Sequence, residues 1–110
     1  MPPEDRIRWQ HMIEAAEDAI NFFSGRQRTD LHRDRMLLFA VVRAIEIIGE
    51  AANKITPQTR AAYSEIPWPA IIGMRNRLVH AYFEIDTDIV WMAVSQEVPA
   101  LLAQLKAIRE

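Results

Sequence analysis

A cluster of polar residues lies in the stretch GMRNRLVHAYFEID, residues 73–86, among apolar neighbours. Arg75 offers a forked, permanently charged donor for phosphate oxygens. His80 titrates near neutrality and can move a proton, and Asn76 could orient either group. No carboxylate occurs between residues 66 and 83, so this segment is formally a local basic patch. Together these groups could promote attack of an RNA 2′-hydroxyl on the adjacent phosphate without a metal.

Helical spacing alone does not bring these side chains together. On an ideal helix Asn76 and His80, four residues apart, share a face, and Arg75 and Tyr82, seven apart, share a neighbouring one. Arg75 and His80 would diverge by about 140°, so we expect convergence only if the helix ends near Val79 or His80. The structural alternative is a helix end, where arginines and a histidine stabilise the helix dipole.

The elements that position these residues are predicted to be helices. The sequence has only three glycines, no segment alternates with period two, and long stretches are rich in strong helix formers. We predict five helices, over residues 4–23, over 31–55, from Pro57, from about Pro69 into the motif, and over 87–108. The expected caps are Thr29 or Asp30 for the second, Thr56 for the third, and Asp86 or Thr87 for the last. Pro99 should kink or break the last helix.

The predicted helix over residues 31–55 is apolar on almost every side, which is typical of a helix deep in a bundle or at a subunit interface. A narrow polar stripe interrupts it at steps of three and four residues, formed by Arg43, Glu46, Glu50 and Asn53. Two of its carboxylates, Glu46 and Glu50, could face the motif and orient Arg75. Equally, the stripe could be a solvated face of a buried helix.

The composition limits the classes of function. The chain has 110 residues, the usual size of one domain, and its apolar half is thin for a monomer, which favours dimerisation. The absence of cysteine excludes disulfides and thiol catalysis, and no Asp, Glu or His cluster has metal-ligand spacing. No apolar run approaches the roughly 18 residues of a membrane span. With a charged N-terminus and a formal charge of −2, we expect a cytoplasmic protein that binds nucleic acid only through a local patch.

The motif and its surroundings resemble the signature of HEPN-domain proteins, specifically the HepT-like toxins of two-gene toxin–antitoxin systems. The family pattern is arginine, a polar residue, three further residues, histidine, any residue and tyrosine. Here it reads Arg75, Asn76, His80 and Tyr82. Three neighbouring segments are similar to the family as well, namely RAIEIIGEAANKI, IPWPAIIGMRN and FEIDTDIVW, so the resemblance covers most of residues 35–91.

The resemblance implies an all-α, HEPN-type bundle of four to five helices in one domain, residues 1–110, that forms a homodimer with the two motifs facing across a cleft. It implies a metal-independent endoribonuclease that needs no cofactor. Arg75 would bind or stabilise the phosphate, His80 would act as acid or base, and Asn76 would support them. It further implies neutralisation by a minimal nucleotidyltransferase antitoxin, which transfers AMP to Tyr82.

A second class of function stays open beside this one. The chain could be a non-catalytic helical module that binds a minimal nucleotidyltransferase or a nucleotide. Arg77, an additional charge inside the motif, could contact RNA or such a partner. AMP added to Tyr82 would indicate toxin neutralisation, whereas a stoichiometric complex without modification would indicate the binding module.

Overall fold

Helices make up nearly all of the regular structure, and the predicted all-α class is confirmed. The computed structural model describes residues 1–80 and 84–108, and of His80 only the main chain. In chain order the elements are α1 (Pro3–Phe23), α2 (Asp30–Arg33), α3 (Arg35–Lys54), α4 (Pro57–Ala62), α5 (Trp68–Ile72), α6 (Met74–Leu78), β1 (Val79–His80), β2 (Glu84–Ile85), α7 (Thr87–Met92), a π-helical turn (Ala93–Glu97) and α8 (Val98–Ala107).

The core lies where α1, α3 and α8 pack together. Met12 and Ala16 on α1, Ile45 and Ile48 on α3, and Leu105 on α8 are fully buried. Burial of a large apolar side chain stabilises the fold by about 1.5–3 kcal/mol, and small side chains on α1 let α3 approach closely. Within residues 1–80 and 84–108, no helix combines the length and apolar character needed to cross a membrane.

The predicted helix over residues 31–55 is divided at Asp34. The Asp34 carboxylate accepts a hydrogen bond of 3.1 Å from the main-chain N–H of Leu37, so it caps α3. Thr29 stands at the start of the short α2 without a side-chain cap bond, and Asp30 accepts from the N–H of Gln27. The predicted caps are therefore wrong for the long helix, because Asp34, four positions after Asp30, takes that role.

The last helix changes its helix type over Ala93–Glu97, just before Pro99, where the sequence predicts a kink or break. Asp86 caps α7, since its carboxylate accepts hydrogen bonds from the main-chain N–H groups of Asp88 and Ile89. The helix then widens into the π-helical turn and continues as α8. A proline inside a helix lacks a donor and crowds the preceding turn, and a π-helical turn directly before it accommodates that change.

Gly49 determines how closely α5 approaches α3. A Cβ atom at this position would lie 3.1 Å from the carbonyl oxygen of Ile71 and 3.5 Å from that of Ile72. The end of α5 therefore rests directly on the backbone of α3. Because α5 continues through Gly73 into α6, this contact also places the helix that carries the motif.

Asp5 is buried where α1 meets α4, with 1% of its surface exposed. Its carboxylate accepts hydrogen bonds of 2.6 Å from the hydroxyl of Thr56 and 2.6 Å from the hydroxyl of Thr59, and one of 3.2 Å from the N–H of Thr56. Burial raises the pKa of Asp5, but these hydrogen bonds outweigh it and hold the pKa below its ordinary value. The network ties the start of α1 to the cap of α4.

Replacing Asp5 with asparagine is expected to destabilise the fold at neutral pH by about 1–3 kcal/mol, because the charge-assisted hydrogen bonds are lost and a buried hydroxyl loses its acceptor. A lowered folded-state pKa means that the ionised carboxylate contributes stability above the unfolded-state pKa of about 3.9. That stability is lost as the pH falls through the folded-state value.

The free energy of unfolding, measured with denaturant, should therefore differ most between wild type and Asp5→Asn above about pH 5, and the difference should shrink below about pH 4. Asp18→Asn, an exposed position on the same helix, serves as the control. A difference as large at pH 3 as at pH 7 would contradict the assignment.

Candidate active site

The motif begins in a helix and continues into the short strand β1. Arg75 and Asn76 lie on α6, which ends at Leu78, so the helical register does not reach His80. Asn76 and His80 therefore do not share a helical face, although they are four residues apart. The end of the helix at Leu78 meets the condition under which the motif side chains could converge. Tyr82 lies outside the described residues.

A short antiparallel ladder fixes the main chain that carries the motif histidine. His80 in β1 pairs with Glu84 in β2. Next to this ladder the N–H of Asp86 donates a hydrogen bond of 2.8 Å to the carbonyl of Leu78. The main chain of His80 is thus held between the end of α6 and the start of α7. Two paired residues on each side are too few to produce a strand signal in the sequence.

Arg75 reaches from α6 to the polar stripe of α3. Its Nε donates a hydrogen bond of 3.0 Å to Oε2 of Glu46. The side chain of Arg75 is 55% exposed and that of Glu46 is 22% exposed. A surface ion pair contributes only about 0–1 kcal/mol to stability, so the main effect of this one is on orientation. The bond engages Nε and leaves the terminal guanidinium nitrogens for another acceptor, such as a phosphate.

Glu50 takes a different partner from Glu46. Its Oε1 accepts a hydrogen bond of 3.0 Å from Nη1 of Arg43, two turns back along α3. Both side chains of this pair are 58% exposed. The two carboxylates of the polar stripe therefore pair with different arginines. Of the two possibilities that the sequence leaves open, Glu46 faces the motif and Glu50 pairs along the exposed face, so of these two carboxylates only Glu46 contacts Arg75.

Arg77 also has a carboxylate partner. Its Nη2 donates to Oε2 of Glu97 at 3.2 Å and to the carbonyl of Ala70 at 3.4 Å, which ties α6 to the π-helical turn. Segment 66–83 has no acidic residue of its own, yet both of its arginines meet carboxylates from other helices. The predicted basic patch is thus weaker than the local charge suggests, because residues distant in sequence neutralise it. Asn76, by contrast, is exposed and makes no side-chain hydrogen bond with the described residues.

Two open depressions adjoin the Arg75–Glu46 pair, and both residues line each of them. The first has a volume of about 320 Å³ and is lined by Phe39, Val42, Glu46, Arg75, Val79 and Ile85. The second has a volume of about 190 Å³ and is lined by Glu46, Gly49, Glu50, Asn53, Ile72 and Arg75. The ion pair therefore borders both depressions, of which the first is lined by two polar residues and the second by four.

Phe39 is the residue at this site that the sequence analysis missed. It lies on α3 and is 45% exposed, with the guanidinium of Arg35 4.9 Å from the centre of its ring. A signal for it exists in the sequence, since Phe39 precedes Arg43 by four residues and Glu46 by seven. It therefore extends the polar stripe by one turn, although an aromatic residue in an apolar run reads first as core.

The arrangement can bind an anion through the guanidinium of Arg75. Arg75 is a half-exposed guanidinium held against a long helix, which suits a phosphate monoanion. Among the described side chains, no group of three or more His, Cys, Asp or Glu residues could hold a metal ion. Of the motif residues, the structure brings Arg75 and Asn76 onto α6 and places the main chain of His80 directly after it.

Comparison with known proteins gives a consistent family assignment. The family model described as "Ribonuclease HepT-like" matches residues 12–108. A protein of Methanocaldococcus jannaschii that is provisionally named an RNase is 34% identical over 97 residues, 88% of this chain and 89% of its own. One from Caldanaerobacter subterraneus subsp. tengcongensis, also provisionally named an RNase, is 36% identical over 99 residues, 90% of this chain and 88% of its own.

A third relative, the "Probable ribonuclease HepT" of Thermococcus cleftensis, is 39% identical over 77 residues, 70% of each chain. No solved structure matches. The matched span includes the polar stripe of α3, the whole motif and the last helices, the parts that build the site described above. The chain therefore belongs to the HepT-like ribonuclease family.

Proposed function

We propose that this protein is a metal-independent endoribonuclease, the toxin of a two-gene toxin–antitoxin pair, and that it cleaves RNA by attack of a 2′-hydroxyl on the adjacent phosphate. The main support for the proposal is the exposure of Arg75 and its hydrogen bond to Glu46. This arginine occupies the first position of the motif, is half exposed, and is held through Nε by Glu46 so that its other donors can meet a phosphate. Membership of a ribonuclease family supports RNA as the substrate.

The proposed reaction needs positive charge at the phosphate and a proton carrier beside it. The 2′-oxygen bonds to phosphorus while the bond from phosphorus to the 5′-oxygen breaks. A base takes the proton of the 2′-hydroxyl and an acid protonates the leaving 5′-oxygen, which leaves a 2′,3′-cyclic phosphate and a 5′-hydroxyl. Arg75 stabilises the charge on the phosphoryl oxygens, His80 acts as acid or base, and Asn76 supports them.

The proposed active form is a cytoplasmic homodimer of one-domain protomers. Two motifs facing one cleft would supply two histidines, one for each proton transfer. Large apolar side chains that a second copy could cover support this assembly. Met36 on α3 is 84% exposed and Ile7 on α1 is 54% exposed.

The proposed point of control is the hydroxyl of Tyr82. A minimal nucleotidyltransferase antitoxin transfers AMP from ATP to this oxygen and releases pyrophosphate. The new phosphodiester adds negative charge and bulk two residues after His80, where it would compete with substrate phosphate for Arg75. The motif pattern supports this proposal, as do the terminal nitrogens of Arg75, which make no hydrogen bond with residues 1–80 or 84–108.

One observation favours a second candidate function. Arg75 and Arg77 both pair with carboxylates, Glu46 and Glu97, and the chain is net acidic. Such a surface attracts RNA less than an unpaired basic patch would. It suits a non-catalytic helical module that binds a minimal nucleotidyltransferase or a nucleotide.

Substitution of the two catalytic candidates tests the reaction. Unmodified protein incubated with single-stranded RNA in EDTA should release fragments ending in a cyclic phosphate. Arg75→Ala and His80→Ala should each lower the single-turnover rate by about 100-fold or more, because each removes charge stabilisation or proton transfer. Arg33→Ala and His11→Ala, both exposed positions outside the motif, are the matched controls. Equal activity of all five proteins would exclude the mechanism.

Substitution of Glu46 tests whether it positions Arg75. Glu46→Ala is expected to lower kcat roughly 10- to 100-fold, because a misplaced guanidinium costs that much in a well-oriented site. Glu46→Gln keeps an oxygen acceptor for Nε and should retain more activity than the alanine variant, at an unchanged Tm. Glu17→Ala removes another interhelical ion pair, with Lys106, and should leave kcat unaltered. An equal fall in kcat for Glu46→Ala and Glu46→Gln would refute the role of Glu46 in positioning Arg75.

Co-expression with the product of the adjacent gene tests the modification. If that product is the proposed nucleotidyltransferase, intact-mass measurement should show one or more adenylyl groups on the wild type and on Tyr63→Phe, but none on Tyr82→Phe. The modified protein should lose its RNA cleavage. A stoichiometric complex without added mass, together with an inactive free protein, would instead support the binding module.

A further inference from the structure

The largely apolar depression beside Arg75 has no role in the reaction as proposed so far. We name it the Phe39 hollow, and its lining residues are Phe39, Val42, Glu46, Arg75, Val79 and Ile85. Its volume of about 320 Å³ lies at the lower end of the range for small-ligand sites, which are mostly apolar with a few polar groups. It therefore suits a small, flat, mainly apolar group that is attached to an anion.

Phe39 offers a ring surface suited to such a group. Its side chain is 45% exposed, although it lies on a helix that is otherwise largely buried. The guanidinium of Arg35 stands 4.9 Å from the ring centre, a distance typical of a cation–π contact. Exposed aromatic rings next to arginine are the usual platform on which proteins stack unpaired nucleobases.

The substrate determines what can lie next to Arg75. A phosphate bound by this arginine is covalently joined to a ribose, and the ribose carries a base. Because Arg75 lines the hollow itself, the nucleoside of that phosphate is the group nearest to the opening. We infer that the Phe39 hollow binds a nucleobase adjoining the scissile phosphate, stacked on Phe39. This inference rests on the proposed ribonuclease function.

The charges around the hollow fit a neutral base. The carboxylate that lines it, Glu46, already pairs with Arg75, so it does not repel the incoming group as an isolated charge would. The remaining lining residues are apolar. The base thus contributes affinity through stacking, and the phosphate contributes through Arg75.

The competing occupant is an apolar side chain of a second copy of this chain. The position of Arg75 favours the base, because its terminal guanidinium nitrogens, which make no hydrogen bond with the described residues, suit the phosphate attached to that base and not an apolar side chain. Met36, at 84% exposure and outside the lining, is the better candidate for contact between copies. A base in the hollow also requires unpaired RNA, because a base within a duplex cannot be reached by the ring.

Equilibrium binding tests the inference on the full chain. The probe is a single-stranded RNA with a 2′-deoxy nucleotide at the mapped cut position, which prevents cleavage. Phe39→Ala should bind it about 5- to 100-fold more weakly, as loss of one stacking contact predicts, while Phe39→Trp should retain affinity. Phe22→Ala removes an equally exposed phenylalanine, 44% exposed on α1, and should bind as wild type.

An abasic scan along the oligonucleotide identifies the stacked base. The affinity of wild type should fall by a similar factor when the base next to the scissile phosphate is removed. Phe39→Ala should bind that abasic oligonucleotide no more weakly than wild type does. In cleavage assays the variant should show a raised KM and an unchanged kcat. A double-stranded probe should not distinguish the variant from wild type.

Several results would overturn the inference and leave the ribonuclease proposal standing. In the first, Phe39→Ala cleaves RNA with an unaltered KM. In the second, the variant and the abasic oligonucleotide each lower the affinity independently of the other. In the third, a change of oligomeric state fully accounts for the loss of affinity. The last result would assign the hollow to an interface between copies. A wild type that shows the Phe39-dependent binding but no cleavage in EDTA would refute the proposed reaction alone, and one that binds no RNA would refute both.

Discussion

The close contact between α3 and the end of α5 is the constraint on which the site depends. At Gly49 a Cβ atom would lie 3.1 Å from the carbonyl oxygen of Ile71, so any larger residue would push the end of α5 away from α3 by a few tenths of an ångström. This contact brings α6 alongside the polar stripe of α3, and only then can Arg75 meet Glu46. A short helix of five residues has little stability of its own, so its orientation comes from the long helix beneath it.

The Arg75–Glu46 pair illustrates how a weak interaction can matter for function. A half-exposed ion pair adds little to the free energy of unfolding, and salt screens it further. Its value lies in restricting a flexible side chain before a ligand arrives, which lowers the entropy that binding must overcome. Because Glu46 engages Nε, the arginine is ordered without losing the terminal nitrogens that suit a phosphate.

The sequence was sufficient for most of the helices, because those follow from local rules. Apolar periodicity, Asp86 and Thr56 as caps, and the interruption at Pro99 are all local properties. For Glu46 the α3 stripe left two possibilities open, facing the motif or facing solvent, and the packing of α6 on α3 decides between them. The break at Asp34 was not predicted, because Thr29 and Asp30 were also plausible caps for the helix that follows them.

Other features depend on which helices meet, and a single sequence does not supply this. Arg77 appeared as an unpaired charge, but the fold brings Glu97 to it from twenty residues away. Phe39 resembled a core residue, because the apolar run does not reveal which side faces the solvent. The ladder of His80 with Glu84 involves too few residues to show any alternation.

The charge distribution limits how RNA could be recognised by this protein. With a net charge of −2 and with Arg43, Arg75 and Arg77 each paired to a glutamate, the described surface provides little long-range attraction for a polyanion. Affinity must then come from short-range contacts, in which a guanidinium meets one phosphate and an apolar surface meets one base. Such contacts depend weakly on salt and strongly on whether the RNA is unpaired. A ribonuclease that binds RNA in this way would act on accessible loops and single strands, and its selectivity would arise within a few ångströms of the cleaved bond.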